Sequence, residues 1–223
     1  MTFSRLDAMV QPRRIGLTGG IATGKSTVGR VLAERHGLAV LDADQMARDA
    51  LAPGTAASQA VLNRYGPAVL ASAGSPEGNP PAQLDRQALA RIVFADPAER
   101  QWLEHLVHPL VRAGFQGELE RLKAAPVVVL MIPLLFEAGL ESLCSEIWVA
   151  DCGSGEEQLR RLQARDGLTR GEALVRMGAQ WPMAEKLARA DVVISTLGSP
   201  LELAARVDAA LGKVPSGGSS ATG

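Results

Sequence analysis

The sequence predicts an α/β fold in which a five-stranded parallel sheet is flanked by helices. Five short runs are almost continuously apolar and rich in Val, Ile and Leu, which is typical of strands buried on both faces of a parallel sheet. Longer segments with helical patterns separate these runs, as the connections of a doubly wound sheet require. The predicted strands cover residues 15–18, 39–41, 127–132, 147–150 and 192–195.

The composition fits a globular protein that works in water. The 223 residues are 47% hydrophobic and 21% charged, and the net charge of −1 argues against a protein that coats nucleic acid. No apolar run is long enough to span a membrane, and the first residues lack the apolar core of a signal peptide. Cys144 and Cys152 are interpreted as core thiols. We therefore expect a cytoplasmic protein without membrane or nucleic-acid partners, either a monomer or a small homo-oligomer.

The first predicted strand runs into the glycine-rich stretch GGIATGKST, residues 19–27. This stretch matches the phosphate-binding pattern GxxxxGKS and lies between a strand and a helix, as that pattern requires. Glycines let successive backbone N–H groups turn toward phosphate oxygens. Lys25 would supply a charge near the β- and γ-phosphates, Ser26 a hydroxyl for Mg²⁺, and Thr27 a contact with the α-phosphate. The helix that follows is expected to end at Gly37.

The second predicted strand ends in LDADQMARD, which places Asp42 and Asp44 at its carboxyl end. Ligands of open parallel sheets bind at that edge. A carboxylate there can accept the proton of an alcohol or hold a metal-bound water. The alternative is a helix cap, a role that Asp44 could also serve. We favour a catalytic role for Asp44.

About 85 residues separate the second and third predicted strands, far more than a simple crossover needs. Asp85 predicts the start of a short helix that reaches Phe94, and DPAE at 96–99 predicts the start of another. The turn-rich stretch 72–81 is expected to be a surface loop. We interpret the insertion, about 45–125, as a helical lobe that binds the acceptor; the alternative is that it only stabilises the domain.

His108 precedes Pro109 inside an otherwise helical pattern. Because an internal proline costs a helix about 3 kcal/mol, we expect a break or kink there. Such a kink would aim His108 at a defined place, although a histidine beside a kink is more often structural.

A run of arginines follows the fourth predicted strand in EEQLRRLQARDGL, residues 156–168. Arg161 and Arg165 are one helical turn apart and share a face, with Arg160 beside them. Arginines on a mobile helix can neutralise charge on a transferred phosphoryl group, whereas the alternative is a solvated face. Arg189 is open to the same two interpretations. Next along the chain, TRGE at 169–172 predicts a helix that opens with a capping box.

Five segments together resemble the dephospho-coenzyme A kinase family, in order along nearly the whole chain. The family uses ATP and Mg²⁺ to phosphorylate the ribose 3′-hydroxyl of dephospho-coenzyme A. The resemblance implies a P-loop kinase with a nucleotide-binding core, a helical substrate-binding lobe and a lid. The segments are IGLTGGIATGKSTV, LDADQMARDALAPGT, LDRQALARIVFADPAERQWLEHLVHPLV, VVVLMIPLLFEAGL and EEQLRRLQARDGLTRGEALVRMGAQWP.

The resemblance also implies roles for individual residues. Asp44 would be the general base, His108 would lie in the acceptor region, and Arg160, Arg161 and Arg165 would belong to the lid, with Arg160 placed toward the substrate. The phosphates of ATP would contact Ala22, Thr23, Gly24, Lys25, Ser26 and Thr27. The expected limits are an N-terminal extension at 1–13, a kinase domain at 14–212 with a lid at about 155–185, and a disordered tail at 213–223.

Other functions remain as alternatives. Another small-molecule P-loop kinase would phosphorylate a sugar, a nucleoside or a related alcohol. A GTPase switch would need NKxD and DxxG motifs, which the sequence lacks. A binding module without activity is disfavoured because Lys25, Ser26 and Asp44 are all present.

Two features depart from the family pattern. The family loop usually reads GIGSGKS, whereas this chain has Ala22 and Thr23. We expect alanine to be tolerated only if position 22 needs no positive φ. Thr196 stands where the family commonly has Asn, near the presumed adenine site, which leaves the base contact and the preference between ATP and GTP open.

Overall fold

A computed structural model describes residues 12–71 and 83–212. The strands are β1 (Arg13–Gly19), β2 (Ala39–Asp42), β3 (Val127–Met131), β4 (Glu146–Asp151) and β5 (Val192–Ser195). The α-helices are α1 (Lys25–His36), α2 (Ala43–Ala50), α3 (Ala56–Tyr65), α4 (Arg86–Ala95), α5 (Pro97–Arg121), α6 (Gly155–Asp166), α7 (Arg170–Gly178), α8 (Met183–Ala188) and α9 (Pro200–Leu211).

The five strands form one parallel sheet in the order β2-β3-β1-β4-β5, which confirms the predicted fold class. β1 lies in the centre, with Ile15 level with Val129 of β3 and with Glu146 of β4. Ile15 and Leu17 are completely buried. The carboxyl end of β1 is therefore flanked by strands on both sides, which places the glycine-rich loop at the ligand-binding edge of the sheet.

One hydrophobic core joins the sheet to the first and last helices. Continuous burial of the central strands explains their unbroken apolar sequences, since a parallel sheet is covered on both faces. The buried members include Ile15 and Leu17 of β1, Val28 and Leu32 of α1, Trp148 of β4, Ile194 of β5, and Leu203 and Val207 of α9.

The chain divides into two compact units. One contains the described residues up to Leu41 and from Leu119 onward, and the other contains Asp42–Glu118. The second unit has a core of its own around Val61 and Leu89. This division is compatible with a helical insertion, while the exact domain limits stay a prediction.

An ion pair links two helices of the second unit. Arg64 of α3 donates two hydrogen bonds to Glu99 of α5, and the hydroxyl of Tyr65 donates a third. These bonds hold the pKa of the Glu99 carboxyl at about 2, below its usual 4.5. The Arg64 guanidinium also lies 4.5 Å from the centroid of the Trp102 ring.

The helix boundaries that have local signals are confirmed. Asp85 caps α4 by accepting from two backbone N–H groups, and Asp96 accepts from the N–H of Ala98 at the start of α5. Thr169 forms the predicted capping box at the start of α7, and Gly37 ends α1 in a left-handed conformation. The predicted loop at 72–81 and the predicted tail at 213–223 lie outside the described residues.

Of the break or kink predicted at Pro109, the break is wrong, because α5 continues through it from Pro97 to Arg121, while the kink stays a prediction. Proline removes one backbone donor, yet the apolar spacing of the helix is maintained on both sides. Val107, Val111 and Phe115, four residues apart, are all buried. The burial of this stripe offsets the cost of the missing hydrogen bond. Among the residues described, no helix combines the length and the apolar character needed to cross a membrane.

Candidate active site

The loop between β1 and α1 ends in a glycine N-cap, which has no side chain with which to cap the helix. Gly24, the N-cap residue, has φ 95° and makes no side-chain hydrogen bond to the helix. The first N–H groups of a helix have no partner within it, and together with the helix dipole they attract anions. An N-terminus without a capping side chain directly after a central strand is therefore suited to bind phosphate.

Ala22 adopts the left-handed conformation that glycine favours. Its φ is 61°, and no other non-glycine residue in the described ranges has a positive φ. The condition under which alanine was expected to be tolerated is thus not met, and the chain accepts a cost of about 1–2 kcal/mol. Packing holds it there, because Ile21 and Ala22 contact an apolar cluster of Leu159, Leu162 and Ala173 from α6 and α7.

Two glutamines hold the first half of the loop. Gln180 accepts a hydrogen bond from the backbone N–H of Ile21 at 2.8 Å, and Gln158 donates to the carbonyl of Ile21 at 2.9 Å. A Cβ on Gly20 would lie 2.5 Å from Nε2 of Gln158, so a larger residue there would displace the Gln158 side chain. Neither glutamine was predicted to contact the loop, since no local pattern in the sequence marks them.

The predicted phosphate contacts differ in their surroundings. Lys25 is half-buried and Ser26 is exposed, and these two residues begin α1. Thr23, in contrast, is fully buried, and its hydroxyl donates to the carbonyl of Gly20 at 2.9 Å. Its backbone N–H donates to the same carbonyl at 3.3 Å, so both hydrogen-bond donors of Thr23 are engaged within the loop.

The second half of the loop lies against Thr196, the residue directly after β5. The hydroxyl of Thr196 lies 2.6 Å from the carbonyl oxygen of Thr23. A Cβ on Gly24 would come within 3.0 Å of three side-chain atoms of Thr196. The hydroxyl of Thr196 thus faces the loop.

Arg161 of α6 also contacts Thr196. Its Nη1 donates to the Thr196 hydroxyl at 2.9 Å, its Nη2 to the Thr196 carbonyl at 3.2 Å, and its Nε to Glu157 at 2.7 Å. Glu157 also accepts two hydrogen bonds from Arg160, which is largely exposed. The hydrogen bonds from Arg160 and Arg161 hold the pKa of the Glu157 carboxyl at about 2.

Arg165 has a different environment from Arg161, although one turn separates them. It donates two hydrogen bonds to Asp166, which also accepts from Arg176 of α7. The hydrogen bonds from Arg165 lower the pKa of the Asp166 carboxyl. The structure therefore brings Arg161 to the loop and pairs Arg160 and Arg165 with acidic residues of α6.

The segment after β3 anchors α8. Oε1 of Glu137 accepts from the ammonium group of Lys186 at 2.8 Å and from the backbone N–H of Trp181 at 2.9 Å. Lys186 is completely buried. Arg189 lies 4.7 Å from the centroid of the Trp181 ring, which is stacked on Phe136. These contacts give Arg189 a structural environment.

Asp42 and Asp44 take separate positions at the start of α2. Asp42 is the N-cap, and its Oδ1 accepts from the N–H of Asp44 at 2.8 Å. Asp44 lies in the first turn with an exposed side chain. His108 is half-buried in the middle of α5.

Within residues 12–71 and 83–212, no group of three or more His, Cys, Asp or Glu side chains could hold a metal ion. A magnesium ion that arrives with a nucleotide needs few protein ligands, because phosphate oxygens and water supply most of its coordination. The exposed hydroxyl of Ser26 beside the N-terminus of α1 fits that requirement.

A family model and several known proteins are similar to this chain over most of its length. A family model for dephospho-CoA kinase matches residues 13–201. A dephospho-CoA kinase from Parasynechococcus marenigrum is 60% identical over 195 residues, 87% of this chain and 93% of that protein. The structure of a dephospho-CoA kinase from Campylobacter jejuni matches with a TM-score of 0.63 at 25% identity, over 89% of this chain and 94% of its own. That of TT1252 from Thermus thermophilus gives 0.74 at 41% identity, over 90% and 96%. The chain belongs to the dephospho-CoA kinase family.

Proposed function

We propose that this protein transfers the γ-phosphoryl group of ATP to the ribose 3′-hydroxyl of dephospho-coenzyme A, giving coenzyme A and ADP in the final step of coenzyme A synthesis. The family match over residues 13–201 supports this acceptor. The single structural observation that supports the reaction is the N-terminus of α1. It follows the central strand β1, and its N-cap residue is Gly24, which has no capping side chain.

The loop binds the donor. Backbone N–H groups over residues 22–27 contact the phosphates, Lys25 neutralises charge on the β- and γ-phosphates, and Thr27 contacts the α-phosphate. Ser26 would hold Mg²⁺, which would neutralise charge on the phosphate groups.

Asp44 acts on the acceptor as general base. Its carboxylate takes the proton of the 3′-hydroxyl while the new O–P bond forms and the bond between the γ-phosphorus and the ADP oxygen breaks. The exposure of Asp44 supports this role, because Asp42 already provides the cap of α2. His108 and Arg160 contribute to binding the acceptor.

Arg161 and Arg165 stabilise the transition state by neutralising charge on the phosphoryl oxygens. The contact between Arg161 and Thr196 supports this role for Arg161. Arg165 would have to exchange Asp166 for the phosphoryl group as the lid closes, which also excludes water.

The setting of the reaction is part of the proposal. Cys144 and Cys152 are both free, which supports a reducing compartment such as the cytoplasm. We propose a monomer or a small homo-oligomer, with dephospho-coenzyme A as the partner. The alternative of a kinase for sugars or nucleosides is not favoured, because the family match names dephospho-CoA kinase.

The test is a screen of acceptors with the purified full chain. ATP and Mg²⁺ are supplied with dephospho-coenzyme A, a sugar, shikimate or a nucleoside, and ADP and phosphorylated product are measured by chromatography and mass spectrometry. We expect coenzyme A and an equal amount of ADP with dephospho-coenzyme A. Turnover of another alcohol without turnover of dephospho-coenzyme A would contradict the proposal.

A further inference from the structure

Thr196 contacts β4, the phosphate loop and α6. Its backbone N–H donates to the carbonyl of Asp151 at 2.7 Å, which extends the pairing of β4 and β5 by one residue. The position of the Thr196 backbone is therefore fixed by the sheet. From this position its side chain reaches both the phosphate loop and α6.

The hydroxyl of Thr196 has one hydrogen to donate. The carbonyl oxygen of Thr23 is the nearer acceptor, at 2.6 Å, and that of Asp151 is 3.2 Å away. A hydroxyl that donates to Thr23 keeps its lone pairs for an incoming donor, and Nη1 of Arg161 fills that position at 2.9 Å. The hydroxyl thus links the loop to the arginine by two hydrogen bonds of opposite direction.

This link restrains Arg161 without engaging all of its N–H donors. A guanidinium has five N–H donors, and three of them are engaged here, one on each nitrogen. The side chain is 25% exposed, against 68% for Arg160 and 55% for Arg165. The restraint therefore leaves part of the Arg161 guanidinium able to meet a phosphate oxygen.

We propose that Thr196 is a positioning residue, whose hydroxyl holds Arg161 against the phosphate loop so that this arginine is oriented before the phosphoryl group arrives. A free arginine side chain loses conformational freedom when it is fixed. Thr196 removes part of that loss from the catalytic step. The inference rests on the proposed function, since it assumes that Arg161 stabilises the transferred group.

The test uses Thr196→Val, which keeps the shape of the side chain and removes the hydroxyl, and Thr196→Ser, which keeps the hydroxyl. We expect Thr196→Val to lower kcat by about 10-fold to 100-fold, the effect of losing a hydrogen bond to a charged group. The KM for ATP should change by less than kcat does. Thr196→Ser should stay within about threefold of the wild type, since both hydrogen bonds survive. Ser195→Ala, which removes the neighbouring hydroxyl, serves as the control.

A double-mutant cycle with Arg161→Ala separates positioning from general support of the fold. If Thr196 acts through Arg161, the double variant should lose little beyond the loss caused by Arg161→Ala. If Thr196→Val lowered kcat in the Arg161→Ala background as much as it does in the wild type, the inference would be overturned. A wild-type kcat in Thr196→Val or in Arg161→Ala alone would also overturn it. Failure of the proposed function is seen separately, because the wild-type protein would then give no coenzyme A.

Discussion

The turns that follow β1 and β2 begin a helix in two different ways. Both connect a parallel strand to a helix. The first uses five residues, 20–24, leaves α1 without a capping side chain, and places Ala22 and Gly24 in the left-handed region. The second uses no connecting residue, because Asp42 ends β2 and its carboxylate caps α2, which begins at Ala43.

The difference shows which helix N-terminus has a carboxylate cap and which does not. A carboxylate at the start of α1 would occupy the N–H groups that a phosphate needs and would repel it. At the start of α2 the Asp42 carboxylate caps the helix, so the cap does not require Asp44, for which we propose the role of general base. Hydrogen bonds between the loop backbone and the side chains of Gln158, Gln180 and Thr196 stabilise the loop between β1 and α1.

The largest expected effect comes from neutralising Asp44. Asp44→Asn should lower kcat by about 100-fold or more while ATP still binds, because an amide cannot take the proton of the acceptor. Initial rates of coenzyme A formation, with ATP affinity from calorimetry, check both parts.

Asp42→Asn is the matched control for Asp44→Asn. Asparagine caps helices about as well as aspartate, so stability and turnover should stay close to the wild type. An equal loss of turnover in the two variants would contradict separate roles for Asp42 and Asp44.

A smaller effect is expected for Gly24→Ala, which should weaken ATP binding by about tenfold or more. Its Cβ would come within 3.0 Å of Thr196, and a residue with φ 95° is strained by about 1–2 kcal/mol. Gly37→Ala is the control, since Gly37 is also left-handed but has open space around its Cβ position. Gly37→Ala should lower stability by about 1 kcal/mol and leave ATP affinity unchanged; a matching loss of affinity would contradict the importance of the contact with Thr196.

Ala22→Val should lower stability by about 1–2 kcal/mol relative to Ala22→Gly, because a β-branched residue is poorly tolerated at φ 61°. Ala22→Gly should lie within about 1 kcal/mol of the wild type, as relief of strain is offset by lost packing and by greater freedom of the unfolded chain. Urea unfolding measures all three proteins. Equal stability of the valine and glycine variants would show that position 22 is not held left-handed.

The smallest expected effect is on the stability of the protein at low pH. Because the folded-state pKa of Glu157 is lowered to about 2 from 4.5, its contribution to stability is complete above pH 4.5 and is lost as the pH falls toward 2. Glu157→Gln should therefore unfold with a shallower pH dependence in that window. Circular dichroism from pH 6 to pH 2 compares the two proteins, and identical slopes would contradict the assigned pKa.

The features that the sequence predicted correctly have local causes. Asp85, Asp96 and Thr169 lie within three residues of the N–H groups that they cap, so the pattern alone identifies them. The five apolar runs predicted the strands in the same way.

The features that it missed depend on residues far apart in the chain. The bonds from Gln158 and Gln180 to Ile21 join residues 137 and 159 positions apart, and no local signal marks such pairs. Of the break or kink predicted at Pro109, the break is absent, because burial along α5 outweighs the local preference of proline for ending a helix. The left-handed conformation of Ala22 likewise depends on packing against α6 and α7.

The distance in sequence between Thr23 and Thr196 also bears on biosynthesis. The ribosome completes the GxxxxGKS signature early in this stretch of chain, yet the hydroxyl that binds the Thr23 carbonyl is translated 173 residues after Thr23. A nascent chain that stalls before β5 contains the whole signature but lacks this support and the strand that carries it. The hydrogen bond between Thr23 and Thr196 can therefore form only after β5 and the residue that follows it have been translated.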